Sequence, residues 1–571
     1  MTPVPSRGPA IDRDPYDGAR RRRALRPANE DRTTLAPSAP VGAVLDPEHV
    51  GEIRGALGTI AAGDVAVRRT PSAKFKTLLA ILGPGLIVMV GDNDAGAFGT
   101  YTQAGQNFGT HLLWTLLLLV PVLYVNQEMV LRLGAVTGVG HARLILERFG
   151  RFWGAFSVID LFILNALTIV TEFIGVTLAV GYLGLPRVPS VVVAAAVVTG
   201  AAMTGSFRRF ERMCLVLVAG SVVLVPLYLM VHPPTAQMAH GLFVPGLPAG
   251  SLSTEMLLII GIVGTTVAPW QLFFQQSYVI DKRITPRFIP YERVDLWVGI
   301  VIVVLGAAAL FGVADATFAH HAGFGHFTSA AGVAAGLGRY VSPVAGDLFA
   351  LALLDASIIG AAAVGLATAY AGADVVGANH SLHRTVRSAR SFYFTYGLLM
   401  ALAAAVVLIP GSPLGLITEG VQTLAGVLLP SATVFLLLLC NDREVLGPWV
   451  NGRLLNAFTS GVIGVLVILS VVLTASVLFP GMDARQIVAV LVGGALLGAA
   501  GGVVALIAAR RRPRALPDRT GRSTWRMPAL STLSRPALSV GRRTGLAAMR
   551  GYLVVSVVLV VVKVATLGLH H

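Results

Sequence analysis

Two stretches of this sequence place polar and backbone-breaking residues inside apolar runs. In the first, Leu86-Ile87-Val88-Met89-Val90 meets Gly91-Asp92-Asn93-Asp94-Ala95-Gly96-Ala97. Two carboxylates and an amide sit there between glycines, at mid-membrane depth. Each charge at that depth costs about 2.5–3.5 kcal/mol on insertion scales. Gly91 and Gly96 favour local unwinding, which exposes backbone carbonyls. The second stretch is Gly261-Ile262-Val263-Gly264-Thr265-Thr266-Val267-Ala268-Pro269-Trp270. Pro269 removes a helix hydrogen bond and repels the carbonyl one turn earlier, near Thr265. Together the two stretches offer anionic and neutral oxygen: Asp94, Asp92 and freed carbonyls. No Lys or Arg lies in either of them to neutralise the acids. That favours a cation over an anion or a zwitterion. Oxygen-only ligation suits magnesium, calcium or manganese rather than copper or zinc.

The elements around these stretches must be membrane spans. Of 571 residues, 55% are apolar and only 13% charged, and the mean hydropathy is +0.74. A soluble enzyme cannot cover its surface with so few charges. Apolar segments fall at 77–104, 110–132, 154–182, 187–205, 213–232, 255–280, 294–318, 345–375, 391–410, 413–440, 454–479, 486–509 and 551–568. That predicts about thirteen spans of the length a bilayer needs; Lys563 interrupts the last.

Loop charge gives an orientation. With the N-terminus inside, the cytoplasmic loops hold Arg143, Arg148 and Arg151; Arg208, Arg209 and Arg212; Lys282, Arg283 and Arg287; Arg384, Arg387 and Arg390; Arg443 and Arg453; and Arg510, Arg511, Arg512 and Arg514. The opposite loops are nearly empty of positive charge: 233–254 has no Lys or Arg, and 319–344 has only Arg339. This alternation predicts an N-in protein of the cytoplasmic membrane, with the lipid bilayer as its surroundings. It also accounts for the net charge of +15 without a nucleic-acid partner.

The polar, Arg-rich residues 1–75 read as a disordered cytoplasmic tail. A ten-span core over 76–440 follows, then two further spans over 441–509. A basic linker at 510–550 precedes the terminal span expected within 551–571. Cys214 and Cys440, the only cysteines, read as core residues. Asp355, Asp374 and Glu419 read as packed, paired or interfacial acids. His320, His321 and His326 read as a solvated external cluster, and His380 and His383 as solvated on the inside. No phosphate loop, nucleotide-binding domain or nucleophile–base pair is evident, so neither ATP-driven pumping nor hydrolysis is expected, and no cofactor.

The two interrupted spans are the first and the sixth. Breaks five spans apart point to two inverted repeats with a site at the midplane between the breaks. At this point the residues resemble the Nramp family of divalent metal transporters over most of 77–479. Gly83-Pro84-Gly85 followed by Asp94-Ala95-Gly96-Ala97 is similar to its first-span motif. Thr265-Thr266-Val267-Ala268-Pro269-Trp270 is similar to the sixth-span one. Arg132-Leu133-Gly134-Ala135-Val136-Thr137-Gly138, Glu172-Phe173-Ile174-Gly175 and Asn441-Asp442-Arg443 also fit, and Gln422, eight residues before Pro430, takes the place of the tenth-span glutamine. The resemblance implies the all-α, five-plus-five inverted-repeat fold of the amino-acid and sodium-coupled transporters, with extra C-terminal spans.

Of the metal ligands that the resemblance implies, Asp94, the Thr265 carbonyl and Gln422 carry over; Asp92 acts directly or through water. Gly91, Asn93, Gly96, Ala97, Thr266, Ala268, Pro269 and Trp270 would line the site, and Glu172 is a gating candidate. Two positions depart from the family. Ala97 stands where it has Asn, and Ala268 where it has the Met whose thioether helps select transition metals. Smaller side chains leave room for waters that magnesium is reluctant to lose. This is similar to the Nramp-related magnesium transporters. Trp270, Ile169 and Phe162 stand where the family has titratable groups, while Asp160 and Asn165 lie nearby out of register. The expectation is a secondary carrier of Mg2+ and Mn2+ working by alternating access without strict proton coupling. The alternatives are a proton-coupled Mn2+ or Fe2+ importer and a sodium-coupled organic-solute symporter.

Overall fold

The computed structural model describes residues 43–246, 252–411, 414–479, 484–511 and 520–534, with 536, 545–547, 549–551 and 554. The first apolar segment is three helices rather than one: α1 (Pro71–Ile81), α2 (Pro84–Val90) and α3 (Ala95–Phe108). Pro71 and Pro84 each stand at a helix start, where no N–H is needed. The α1–α2 pair bends by 54°. The next four segments give α4 (Trp114–Thr137), α5 (His141–Phe149), α6 (Arg151–Tyr182), α7 (Arg187–Ala202) and the interrupted fifth span, α8 (Phe207–Gly220) with α9 (Leu224–Val231). A short α10 (Thr235–Phe243) leads to the sixth span, split into α11 (Leu252–Thr266) and α12 (Pro269–Asp281). Then come α13 (Ile289–Phe318), α14 (Ala330–Tyr340), α15 (Pro343–Val376), α16 (Arg390–Leu408) and α17 (Leu414–Cys440). The single turn α18 (Arg443–Leu446) precedes α19 (Arg453–Leu478) and α20 (Ala484–Arg511). Among the described residues, nine helices are long and apolar enough to cross a membrane, ten if the bent pair is one span. The expected span at 551–568 lies outside the described residues, apart from 551 and 554.

The packing carries the repeat symmetry. The first span (α2, α3) lies along α13, the seventh; the sixth (α12) lies along α4, the second. Shifting each span number by five turns one pair into the other. The third and eighth spans, α6 and α15, are exchanged with each other, and they form the most extensive helix contact. This is an all-α integral membrane protein with the five-plus-five inverted-repeat fold, and α19 and α20 are added to it.

The expectation for 1–75 needs correction over its second half. Residues 43–66 pack against the face of the bundle that carries the basic loops. A hairpin pairs β1 (Ile53–Gly55) with β2 (Gly58–Ile60), and Ile53, Ala56 and Ile60 are buried. Backbone carbonyls of the 43–66 segment are taken by the loop arginines. Arg208 donates to Gly55 O (3.1 Å), Arg212 to Ala56 O (3.2 Å) and Arg283 to Glu48 O (2.7 Å). Arg384 forms an ion pair with Asp46 at 2.6 Å. The arginines that mark topology thus also hold the segment, a use composition cannot reveal.

His380, expected to be solvated, is buried; its Nε2 meets Asp374 Oδ1 at 2.9 Å. Burial alone would lower its pKa, but the carboxylate of Asp374 outweighs this and lifts it to about 9. The linker is also anchored in part: Met527 is fully buried, and Arg526 donates to Ala135 O at 3.0 Å.

Candidate metal-binding site

The break in the first span is built by short turns. Asp92 N donates to Met89 O (3.2 Å) and Asn93 N to Val90 O (3.1 Å), tightening the last turn of α2. Asp94 then takes extended backbone, and its Oδ1 accepts from Ala97 N at 2.9 Å, capping α3. Between the helices, no backbone N–H among the described residues donates to the carbonyls of Gly91, Asp92 or Asn93. The sixth-span break mirrors this. Ala268 is extended before Pro269, which opens α12 and has no N–H to offer the preceding turn.

The two breaks touch. Thr100 Oγ1 lies 3.3 Å from Thr265 Oγ1, and the Tyr101 hydroxyl 2.8 Å from Thr266 Oγ1. Gln271, two residues past Pro269, donates from Nε2 to Asp92 Oδ1 and accepts at Oε1 from Gln127 Nε2 (3.0 Å). One Asp92 oxygen is therefore committed to an amide. The other, Oδ2, is buried with no partner among the described residues. Glu172, fully buried on α6, accepts from Ala95 N at 3.2 Å and so braces the start of α3. Its carboxyl lies beside Asp94, the residue before Ala95, and its Oε1 has no hydrogen-bond partner among the described residues. Gly360 on α15 makes the room: a Cβ there would come within 2.7 Å of the Glu172 carboxyl and 3.0 Å of Asp94 Cβ.

Not every expected residue joins the site. Asn93 turns away, giving Nδ2 to Val303 O of α13 at 3.1 Å. Trp270 is buried against Phe274, with Gly91 close by. Gln422 lies on α17, which packs on α11; its side chain is outside the described residues. Ala97 and Ala268 are buried where they stand, adding no donor. Glu172, expected as a gating or family-motif residue, stands beside Asp94 as a third acid. Gln271, Gln127, Tyr101 and Thr100 were not anticipated. Their signal was available: an amide or hydroxyl inside an apolar span is costly and must be satisfied.

Among the described residues no three His, Cys, Asp or Glu side chains are placed to hold a metal by themselves. A cation held here would have to draw on hydroxyl, amide and carbonyl oxygen as well as the acids, the donor set that hard cations take. A cavity of about 480 Å3 reaches the neighbourhood of Asp94 at Ala95, lined by Thr100, Gln103, Asn107, Thr171, Ser329 and Thr418 among others. It extends to the 327–330 segment, away from the basic face.

Comparison with known proteins fits this geometry. The family model for natural resistance-associated macrophage protein-like (Nramp) chains matches residues 85–476. A protein of Ralstonia nicotianae called divalent metal cation transporter MntH is 31% identical over 409 residues, 67% of this chain and 88% of its own. One of the same name from Aeromonas hydrophila is 28% identical over 418 residues, covering 68% and 95%. Among solved structures, the manganese transporter of Eremococcus coleocola superposes with a TM-score of 0.58 at 20% identity, over 78% of this chain and 98% of that one. The chain therefore belongs to the Nramp family, and with it to the membrane transporters of divalent metal cations rather than to the enzymes.

Proposed function

We propose that this protein carries hard divalent cations, Mg2+ first and Mn2+ second, across the cytoplasmic membrane by alternating access. Asp94 supplies charge, Gln422 and the Thr265 carbonyl supply oxygen, and Asp92 acts through its uncommitted oxygen or through water. The observation that carries the reading is Ala268. It sits extended at the mouth of α12, 7% exposed, where a methionine would bring a thioether. Without that soft ligand, a site of oxygen donors has no filter against magnesium. Competition for Mn2+ uptake in proteoliposomes tests this: excess Mg2+ should suppress uptake strongly. The A268M variant should lose at least about tenfold in Mg2+ competition, about 1.4 kcal/mol, and gain in Cd2+ competition. Unchanged Mg2+ and Cd2+ competition in A268M and in A97N/A268M removes the reason for a hard-cation substrate.

The basic face is assigned to the cytoplasm by the positive-inside rule. Position 385 lies on that face and position 240 on the loop without Lys or Arg, and both residues are exposed. Impermeant thiol reagents on intact cells should label H240C and spare T385C; the reverse pattern overturns the orientation.

A second reading is favoured by one juxtaposition, that of Glu172 with Asp94. In that reading a divalent ion arriving at Asp94 displaces a proton held by one of the two acids, as a proton-coupled Mn2+ or Fe2+ importer requires. Against it stand Trp270 and Ile169, which leave no titratable side chain at those positions. A pH-sensitive dye inside proteoliposomes decides: little metal-driven acidification supports uncoupled entry. Acidification proportional to metal flux, lost in E172Q, supports coupling.

A further inference from the structure

A second cavity, about 580 Å3, opens between α8–α9, α13, α15 and the broken first span. That is the size of a small-molecule site. Its wall is largely apolar, with Val90, Phe98, Leu224, Ile302 and Ala352. Its rim residues Val222, Val225, Leu229 and Leu305 are each at least 54% exposed on the lipid-facing side of the helices. Two polar side chains interrupt the wall. Asn93 is 8% exposed, and with Nδ2 given to Val303 its Oδ1 has no partner. Asp355, well inside α15, makes no hydrogen bond or ion pair among the described residues.

The surroundings are shaped to hold that carboxyl without pairing it. A Cβ at Gly220 would stand 2.4 Å from Asp355 Oδ1. At the same point α8 gives way to a tight turn, Ser221–Val223. Neither nearby hydroxyl is aimed at the acid: Ser221 donates to Val218 O (2.7 Å), and Tyr228 turns to the Met238 sulfur (3.5 Å). The cavity therefore offers an acid and an orphaned amide oxygen, a hydrocarbon wall, and no donor to match. An uncompensated acid in a span is expensive and marks a functional site by default. A divalent metal does not suit it, since hard cations need six or more oxygens and the wall provides too few.

We propose that this cavity binds a lipophilic primary ammonium ion entering from the bilayer, its N–H groups on Asp355 and Asn93 Oδ1 and its hydrocarbon body against the wall. Asn93 lies between Asp92 and Asp94, so occupancy ties down the first-span break and slows transport. The site is separate from the metal site, and its test does not depend on metal flux.

Thermal unfolding of the purified full-length protein in detergent, with adamantan-1-amine as probe and neutral adamantan-1-ol as control, provides that test. The amine should raise the unfolding temperature at a concentration at least tenfold below that of the alcohol. D355N should erase the difference while leaving the weak alcohol response. V225W, which narrows the lipid-facing mouth, should weaken both. Equal responses to amine and alcohol in the natural protein would mean an apolar slot for lipid and overturn the proposal. So would an amine response unchanged in D355N, or, should D355N not fold, one unchanged in V225W.

Discussion

Metal uptake by the D94A variant is expected to fall by about 100-fold or more, to the level of empty vesicles. The size follows from what is lost. Asp94 is buried at a helix break, and removing one partner of a desolvated charge pair costs about 2–5 kcal/mol, with each 1.4 kcal/mol worth a factor of ten. The substitution also deletes the cap on α3, since Asp94 Oδ1 accepts from Ala97 N at 2.9 Å, a loss of about 1 kcal/mol by itself. D94N separates the two effects. Its amide oxygen can still cap α3, so the protein should express and unfold near the natural temperature, yet transport should be as poor as in D94A. D92A should do less, about tenfold, because one Asp92 oxygen is already engaged by Gln271. Natural flux through D94N would show that the charge at this position does not carry the ion, and the site assignment would fall.

Much of the architecture can be read from residue order because the bilayer imposes few solutions. Apolar runs of fixed length, basic loops on alternate sides and breaks in the first and sixth spans point to inverted repeats. The packing of the first span on α13 and the sixth on α4 is what that arrangement requires. The acids at Gly91–Gly96 are equally visible, since glycines flanking Asp-Asn-Asp have no bland purpose in hydrocarbon. What the sequence hides is direction. Asn93 and Asp94 are neighbours, yet one turns to Val303 and the other caps α3 beside Glu172. Periodicity cannot assign faces where the helix unwinds. The hairpin at 53–60 is hidden for another reason. It is too short and polar to show a pattern, and what orders it is a set of arginines some 150 to 230 residues away that capture its carbonyls. Gln271 was legible in type but not in role, because only the fold sets it against Asp92.

The seal on the basic face supplies the second large effect. Lys282 is fully buried, and its Nζ donates to Ile81 O (2.6 Å), Leu82 O (2.9 Å) and Glu211 Oε1 (2.6 Å). The other oxygen of Glu211 accepts from Ala56 N at 2.5 Å, so the hairpin, the α1–α2 bend, α8 and the end of α12 meet on one ion pair. Asp295 of α13 fastens the same bend by accepting from Gly83 N (3.1 Å) and Gly85 N (2.7 Å). Were α1 and α2 to part from α8 and α12, opening the site towards this face, every one of these bonds to Lys282 would break. K282M leaves a buried carboxylate and two carbonyls unpaired, and breaking such a pair from one side costs about 3–5 kcal/mol. The closed arrangement should therefore lose most of its advantage. Ile81, now fully buried, reports on it: the cysteine in I81C should react with a thiol reagent at least tenfold faster when K282M is added. The double variant E211Q/K282M removes both charges and should be less perturbed than K282M alone, because replacing a buried pair as a whole is far cheaper than orphaning one member. Protection of I81C that stays the same in K282M, with transport intact, would mean that this ion pair does not hold the face closed.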